Sequence, residues 1–415
     1  MARSEPKQPD LILLLVDSLR ADHVGCNGYP KETTPVMDTL AKNGATFTQA
    51  YASASWTMPS VMSLFTSVPP DLHLRMRADQ PNRHLRAKDV FTLAELLQNA
   101  GYQTIGVTAN PMTNRKFGYA KGFDHYDDYT VALSPDESSN RKGAMLTASS
   151  PTLNRLAESA LARRDPKRPF FLFIHYMDVH WDYHPPLPFY QMFTDDPIPA
   201  RQEIWSLNAN KTTTTPVERE RILAAYDGEI RYTDTHIGQL LKTIETSPRG
   251  KNTAIAICAD HGESFWERGV VGHGNNLYEE ELHVPLIIRP PEVAKLAKGV
   301  VVSEQVGLID VPPTFLDFAG IDIPVGWHGK SLRPFFTGGA VPERPLVLDN
   351  RANAAIIQRG VRTPRYKLIA RAPFATPLEV YDLQADPKEL DNLAKDGVPL
   401  PDEMAALVPL LKPNE

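Results

Sequence analysis

The run Asp10-Leu-Ile-Leu-Leu-Leu-Val16 constrains the fold more than any other stretch, because it is apolar at every position after the first. A half-exposed strand alternates apolar and polar residues, and this one does not. A strand apolar on both faces must be covered on both faces, which is the situation of a central strand in a parallel sheet. The run is too short to cross a bilayer or to form the core of a signal peptide. The spacing predicts further elements of the same kind. Residues 36–43 read as a helix stopped by Gly44, and 91–99 as a helix stopped by Gly101. Residues 102–108, 169–176 and 253–258 read as strands. A long helix over 216–246 carries apolar residues at Ile222, Tyr226, Ile230, Ile237, Leu240 and Leu241. Strands alternating with helices imply a three-layer α/β/α sandwich around a large, mostly parallel sheet.

The style changes after residue 335. PLVLD, AAIIQRGVRT, RYKLIA and LEVYDL are short β-like segments separated by turn residues. We therefore expect a catalytic α/β domain over 1–335 and a small C-terminal α+β subdomain over 336–415, built on an antiparallel sheet and closed by a helical stretch. Residues 134–150 and 196–215 read as insertion loops. Lys and Arg number 44 against 50 Asp and Glu, a net charge of −6, which gives no footprint for nucleic acid. Cys26 and Cys258 make neither a disulfide framework nor a soft-metal site. No membrane segment is visible, so as given the chain reads as cytoplasmic, or as periplasmic or secreted if a leader was removed. Nothing in the composition fixes whether copies of the chain associate.

In open α/β sheets, ligands bind outside the carboxyl ends of the strands. Asp17, Asn110, Asp178 and Asp260 each lie just beyond an apolar strand. Around them are three clusters: Asp17 in LLLVDSLRAD, Asp260-His261-Gly262-Glu263 followed by His273-Gly274, and MDVHWDYH over 177–184. Alone, an Asp after a strand is commonly the N-cap of the next helix. Gathered on one sheet edge, carboxylates and imidazoles suit a hard-to-borderline divalent cation such as Zn, Mn or Ca. A fourth segment, SWTMPSVMSLFTS, places Pro59 in the first turn of a helix and Thr57 at or beside its N-cap. Thr57 is then either a capping hydroxyl or a nucleophile, since a helix N-terminus favours negative charge and a metal on the same oxygen would activate it.

In order and spacing these segments resemble the sulfatase family of the alkaline-phosphatase superfamily, nearly end to end. VDSLRADHVGCNGY (16–29) resembles the family's first metal-ligand loop and SWTMPSVMSLFTS (55–67) its nucleophile helix. TLAELLQNAGYQTIGVTANP (92–111) resembles the next helix–strand unit, and FFLFIHYMDVHWDYHPP (170–186) the strand with the substrate-facing His. ICADHGESFWERGVVGHGNNLYEEELHVPLIIRPP (257–291) is the most specific block, and HGKSLRPFF, VRTPRYKLI and EVYDLQADPKELDNLA match the C-terminal region. The departures are equally informative. Sulfatases carry a Cys or Ser two residues before the motif proline, oxidised to formylglycine, and an Arg two residues after it. Here those places hold Thr57 and Val61. The first-loop carboxylate pair is reduced to Asp17-Ser18, and the late Lys is replaced by His273. Threonine cannot become formylglycine, so the pattern resembles the branch that uses a plain Thr in phosphoryl or phosphonyl transfer.

The resemblance implies that Asp17, Asp260 and His261 hold one divalent metal together with Thr57 Oγ. Thr57 attacks in line, and water then cleaves the ester, because an unoxidised Thr cannot expel the group as a formylglycine hemiacetal does. His180 binds a substrate oxygen or protonates the leaving group. His273 touches the same group or is a ligand to a second metal, which would also need Asp178, Asp182 or His184. Ser18, Asn110, Asp178 and His184 complete the expected substrate-facing set. Arg20 and Asp22 read as braces of the first loop, His73 as a surface residue, and Asp227, Glu229 and Asp234 as the solvated or salt-bridged face of the long helix. The expected function is a metal-dependent hydrolase of phosphate diesters or phosphonate monoesters. The alternatives are a sulfatase or phosphomonoesterase without formylglycine, a headgroup phosphotransferase, and an inactive binding homologue.

Overall fold

Strand β1 (Asp10–Val16) has no exposed residue, as its apolar run requires. It lies between two parallel neighbours, β5 (Phe170–Tyr176) and β6 (Thr253–Ala259). The computed structural model describes residues 8–73, 90–128, 148–200, 214–353, 356–372, 379–394 and 400–412. The other strands of the large sheet are β2 (Ala45–Phe47), β3 (Gln103–Thr108), β4 (His125–Asp127), β7 (Leu286–Arg289) and β8 (Val300–Val302), in the order β8-β2-β7-β6-β1-β5-β3-β4. Pairing is parallel except where β7 meets β2 and β6. The sheet is thus mixed but mostly parallel.

Helices α1 (Pro35–Lys42), α2 (Thr57–Thr66), α3 (Leu93–Asn99), α4 (Ser150–Ala162), α5 (Pro216–Glu245) and α6 (Val311–Ala319) pack around it. Helix α3 begins with a capping box, in which Thr92 and Glu95 satisfy each other's backbone N–H groups. The fold expected for α/β alternation is therefore present. The loops expected at 134–150 and 196–215 lie mainly outside the described residues, although Ser150 already opens α4. Among the described residues, no helix is long and apolar enough to cross a membrane.

The C-terminal sheet is antiparallel and orders its strands as β9 (Leu346–Asn353), β10 (Ile356–Arg362), β11 (Tyr366–Arg371) and β12 (Glu379–Asp382). Polar contacts seat it against the larger part. The Asp349 N–H donates to the Ser53 carbonyl at 3.0 Å, and Asn350 Nδ2 donates to the Gly274 carbonyl at 3.0 Å. Lys367 is fully buried, with Nζ 2.8 Å from Glu279 and 2.7 Å from Glu389. Arg362 pairs with the same Glu279 at 3.0 Å.

The solvated or salt-bridged face expected on α5 is met only in part: Asp227 is salt-bridged, but none of the three acids is solvated. Asp227, Glu229 and Asp234 are buried rather than solvated, because the first loop and α1 cover that face of the helix. Asp227 meets His23 Nδ1 at 2.8 Å and Lys31 Nζ at 2.8 Å. Glu229 accepts from the His184 N–H at 2.9 Å. Asp234 accepts from the N–H groups of Val36 and Met37 at 2.9 and 3.0 Å, so it serves the start of α1 from across the fold.

Asp234→Ala leaves both N–H groups without their acceptor and should cost about 1–2 kcal/mol in denaturant unfolding. Burial pushes the Asp234 carboxyl up to about 7. A folded-state value raised above the unfolded value near 4 means that stability falls as pH rises through that window. Wild type should therefore lose ground to Asp234→Asn between about pH 4 and 7, and parallel stability–pH curves would contradict this.

Candidate active site

Parallel register brings the site's acids together. Val16 is opposite Ala259, so the next residues, Asp17 and Asp260, leave adjacent strands at the same end of the sheet. His175 pairs with Leu15 on the other side of β1 and faces both carboxylates. Its Nε2 lies 3.1 Å from Asp17 Oδ2 and 3.9 Å from Asp260 Oδ2. All three residues are fully buried, and one ligand atom from each falls within 4.8 Å of the others. Ser18 fastens both acids: its N–H donates to Asp260 Oδ1 at 3.2 Å and its Oγ to Asp17 Oδ1 at 3.0 Å. It does so from a left-handed backbone, φ 56°, uncommon for a residue with a side chain.

Burial opposes charge on Asp17, yet a hydrogen bond from His175 and the facing imidazoles hold its carboxyl well below the usual range. Burial and the nearby charge of Asp17 push Asp260 well above it. Two carboxylates in one dry pocket cannot both ionise without added positive charge.

Thr57 is the first residue of α2, and Trp56 occupies the N-cap. The Thr57 hydroxyl does not cap the helix but turns to the acids. Its Oγ lies 3.3 Å from His261 Nε2 and accepts from Asn110 Nδ2 at 3.3 Å. The same Nδ2 donates to Asp17 Oδ2 at 2.5 Å, while Asn110 Oδ1 accepts from the Met112 N–H at 2.7 Å. Asn110 thus ties the hydroxyl to the first carboxylate. Ser60 Oγ donates to the Asp260 carbonyl at 2.5 Å and locks α2 against the end of β6.

His261 Nε2 is 3.4 Å from Asp260 Oδ2 and 3.8 Å from Asp17 Oδ1. The His273 ring lies 4.2 Å from that of His261 and 5.0 Å from that of His180, centroid to centroid, so three imidazoles wall the site. Burial holds all three below the ordinary imidazole range, His261 to about 3 and His273 to about 4. Burial raises Glu263, which meets His273 Nδ1 at 3.0 Å, to about 7.

The sequence-derived residues do not all assemble. Thr57, Asp17, Asp260, His261, His180, His273, Ser18 and Asn110 do. Asp178, expected to face substrate, instead accepts from the N–H of Ser150 at 2.6 Å and from its hydroxyl, serving the start of α4. With Oδ2 taken by Ser150, Asp178 serves that helix rather than the cleft. His184 is held by its backbone to Glu229 on α5. His73 is buried, not on the surface, with Nε2 2.8 Å from Ser63 Oγ. Arg20 and Asp22 pair at 2.7 Å within the first loop. His175 is the residue that sequence reasoning passed over; the signal was a single polar side chain inside an otherwise apolar strand.

The donor set fits a divalent cation. Among the described residues, Asp260 Oδ2 is buried without a hydrogen-bond partner. The Asp17–Asp260 pair also calls for the charge that such an ion supplies. Asp17, His175 and Asp260 would hold it, with Thr57 Oγ and His261 Nε2 close by.

Comparison with known proteins shows the family. The Sulfatase family profile matches residues 9–321, and the profile of the N-sulphoglucosamine sulphohydrolase C-terminal region matches 273–406. The chain belongs to the sulfatase family and is an ester hydrolase of that family, whose members use a divalent metal. It is 24% identical to the Delta 4,5-hexuronate-2-O-sulfatase of Bacteroides thetaiotaomicron, over 95% of this chain and 86% of that one. Its fold resembles a protein solved with its substrate D-glucosamine-2-N,6-O-disulfate, at a TM-score of 0.78 and 22% identity, covering 98% and 97% of the two chains. It also resembles the phosphonate monoester hydrolase of Agrobacterium radiobacter, at a TM-score of 0.75 and 21% identity, covering 97% and 93%.

Two outcomes are expected. Protein equilibrated with Zn, Mn or Ca should retain about one ion per chain after gel filtration, and Asp260→Ala should lose it, by elemental analysis. Asn110→Ala removes hydrogen bonds to Asp17 and to the Thr57 hydroxyl and should lower kcat by about 10–100-fold, the worth of a bond to a charged group. Loss confined to KM would instead make Asn110 a substrate contact.

Proposed function

We propose that this protein hydrolyses phosphate diesters or phosphonate monoesters through a covalent Thr57 ester. The observation that carries the reading is the Thr57 hydroxyl itself, fixed between Asn110 and His261 at the helix N-terminus, where formylglycine cannot form. A divalent cation bound at this site would supply Lewis-acid charge to the nucleophile and to a non-bridging substrate oxygen. The chain does the rest. Asn110 and Ser18 orient the nucleophile and the carboxylates. His180 lies beside His273, where it can meet a substrate oxygen or the leaving group.

Electrostatics support a singly charged substrate. Among the described residues, no Lys or Arg side chain is paired or hydrogen-bonded with Thr57, His180, His261 or His273, and burial favours neutral imidazoles. A phosphate monoester dianion is poorly matched to such a wall, whereas a diester, a phosphonate monoester or a sulfate ester carries one charge. The second reading, sulfate ester hydrolysis without formylglycine, is favoured by the curated relatives, which are sulfatases.

The experiment compares kcat/KM on nitrophenyl phosphate diester, phenylphosphonate ester, sulfate and phosphate monoester. Diester or phosphonate should lead, and sulfate in the lead would favour the second reading. Thr57→Ser should retain activity reduced about 10-fold, through freer χ1 rotation. Thr57→Ala should lose at least ~10³-fold. Near-native turnover by Thr57→Ala would mean that water attacks directly.

A further inference from the structure

A threonine ester, unlike a formylglycine one, must be opened by water, and that step needs a base. We propose that His273, oriented by Glu263, takes the proton from the water that hydrolyses the Thr57 ester; this rests on the covalent route given above. His273 is then a catalytic residue and Glu263 a positioning residue.

The three imidazoles of the wall differ in what their Nδ1 atoms meet. His180 Nδ1 lies 2.7 Å from the Trp181 carbonyl and His261 Nδ1 lies 2.8 Å from the Gly262 carbonyl. His273 Nδ1 lies 3.0 Å from Glu263 Oε1. A carbonyl accepts only, so the first two rings carry their hydrogen on Nδ1 and present a bare Nε2. His261 Nε2 already meets the Thr57 hydroxyl at 3.3 Å and lies against Asp17 and Asp260. Of the two that remain, only His273 leans on a carboxylate, which compensates the positive charge a ring gains on taking a proton. That is the arrangement of nucleophile, base and orienting acid.

Glu263 is itself held in place. Its N–H donates to the Glu280 carbonyl at 3.0 Å and its carbonyl accepts from Arg20 Nη1 at 3.0 Å. The His273 loop is held by Asn350, whose Nδ2 donates to the Gly274 carbonyl. The His273 side chain is also 15% exposed while that of His261 is fully buried, so water reaches the former.

The step balances. Water oxygen bonds to phosphorus as its O–H pair stays on oxygen and its proton moves to His273 Nε2. The P–Oγ bond breaks with its pair going to Thr57 Oγ, which then recovers the proton from His273. One ester and one water become the Thr57 hydroxyl and the acid product.

The test uses metal-loaded wild type, Glu263→Gln, His273→Asn and His180→Asn, mixed with a bis-nitrophenyl phosphate diester and acid-quenched. First-turnover nitrophenol release by Glu263→Gln and His273→Asn should stay within about threefold of wild type, while steady-state turnover falls at least ~30-fold. Peptide mapping should find the phosphoryl group accumulating on Thr57 in those two variants. Decay of that ester at the wild-type rate, or its accumulation in His180→Asn instead, overturns the proposal. An ester absent from wild type and every variant overturns the covalent route and this inference with it. Nitrogen-15 NMR of wild-type His273 gives a readout independent of turnover and of variant folding. Hydrogen on Nδ1 with bare Nε2 is expected, and the opposite tautomer overturns the assignment.

Discussion

Two carboxylates forced into one dry pocket set the terms for everything around them. Asp17 and Asp260 leave neighbouring parallel strands at the same level, and strands in a sheet stand only about 4.8 Å apart. The sheet cannot form without bringing them together. What surrounds them answers the repulsion: His175 beneath, Ser18 and Asn110 donating from two sides, and His261 above. The Thr57 hydroxyl is drawn into this group rather than spent on its helix. A site of this kind stores unmet electrostatic demand, which a cation satisfies.

The strands were legible because burial on both faces leaves no choice of residue. β1, β3, β5 and β6 lie where apolar runs place them, and α1 and α3 stop close to the glycines that follow. Helix α4 was hidden because it begins in a polar Ser/Pro/Thr stretch that reads as loop. The short strands β2, β4 and β8 carry too few residues for a period to show.

Within the site, residues that follow a strand directly, Asp17 and Asp260, were readable from position alone. Asp178 follows its strand just as closely, yet it satisfies the first N–H of a helix far away in sequence. Nothing local distinguishes a strand-end acid that finds N–H donors from one that faces a cleft. His175 shows the converse: inside an apolar run it reads as core, and only its register against β1 reveals what it faces. On α5 the spacing left a solvated and a salt-bridged face equally open, since helical periodicity reports an exposed face only when no loop crosses it.

Among the described residues, the C-terminal sheet contributes no side chain to the carboxylate pair, yet it is joined to the loop that carries His273. Asn350 grips that loop beside the imidazole, and buried Lys367 balances Glu279 a few residues further on. A half-buried Glu279 stripped of Lys367 and Arg362 would leave its charge uncompensated, and buried Lys367 would lose its partner. The seam between the two sheets is therefore not a place where evolution or an engineer can exchange modules freely. A replacement C-terminal piece must bring its own cation to the same spot, or the imidazole loop loses its anchor before any substrate contact has changed.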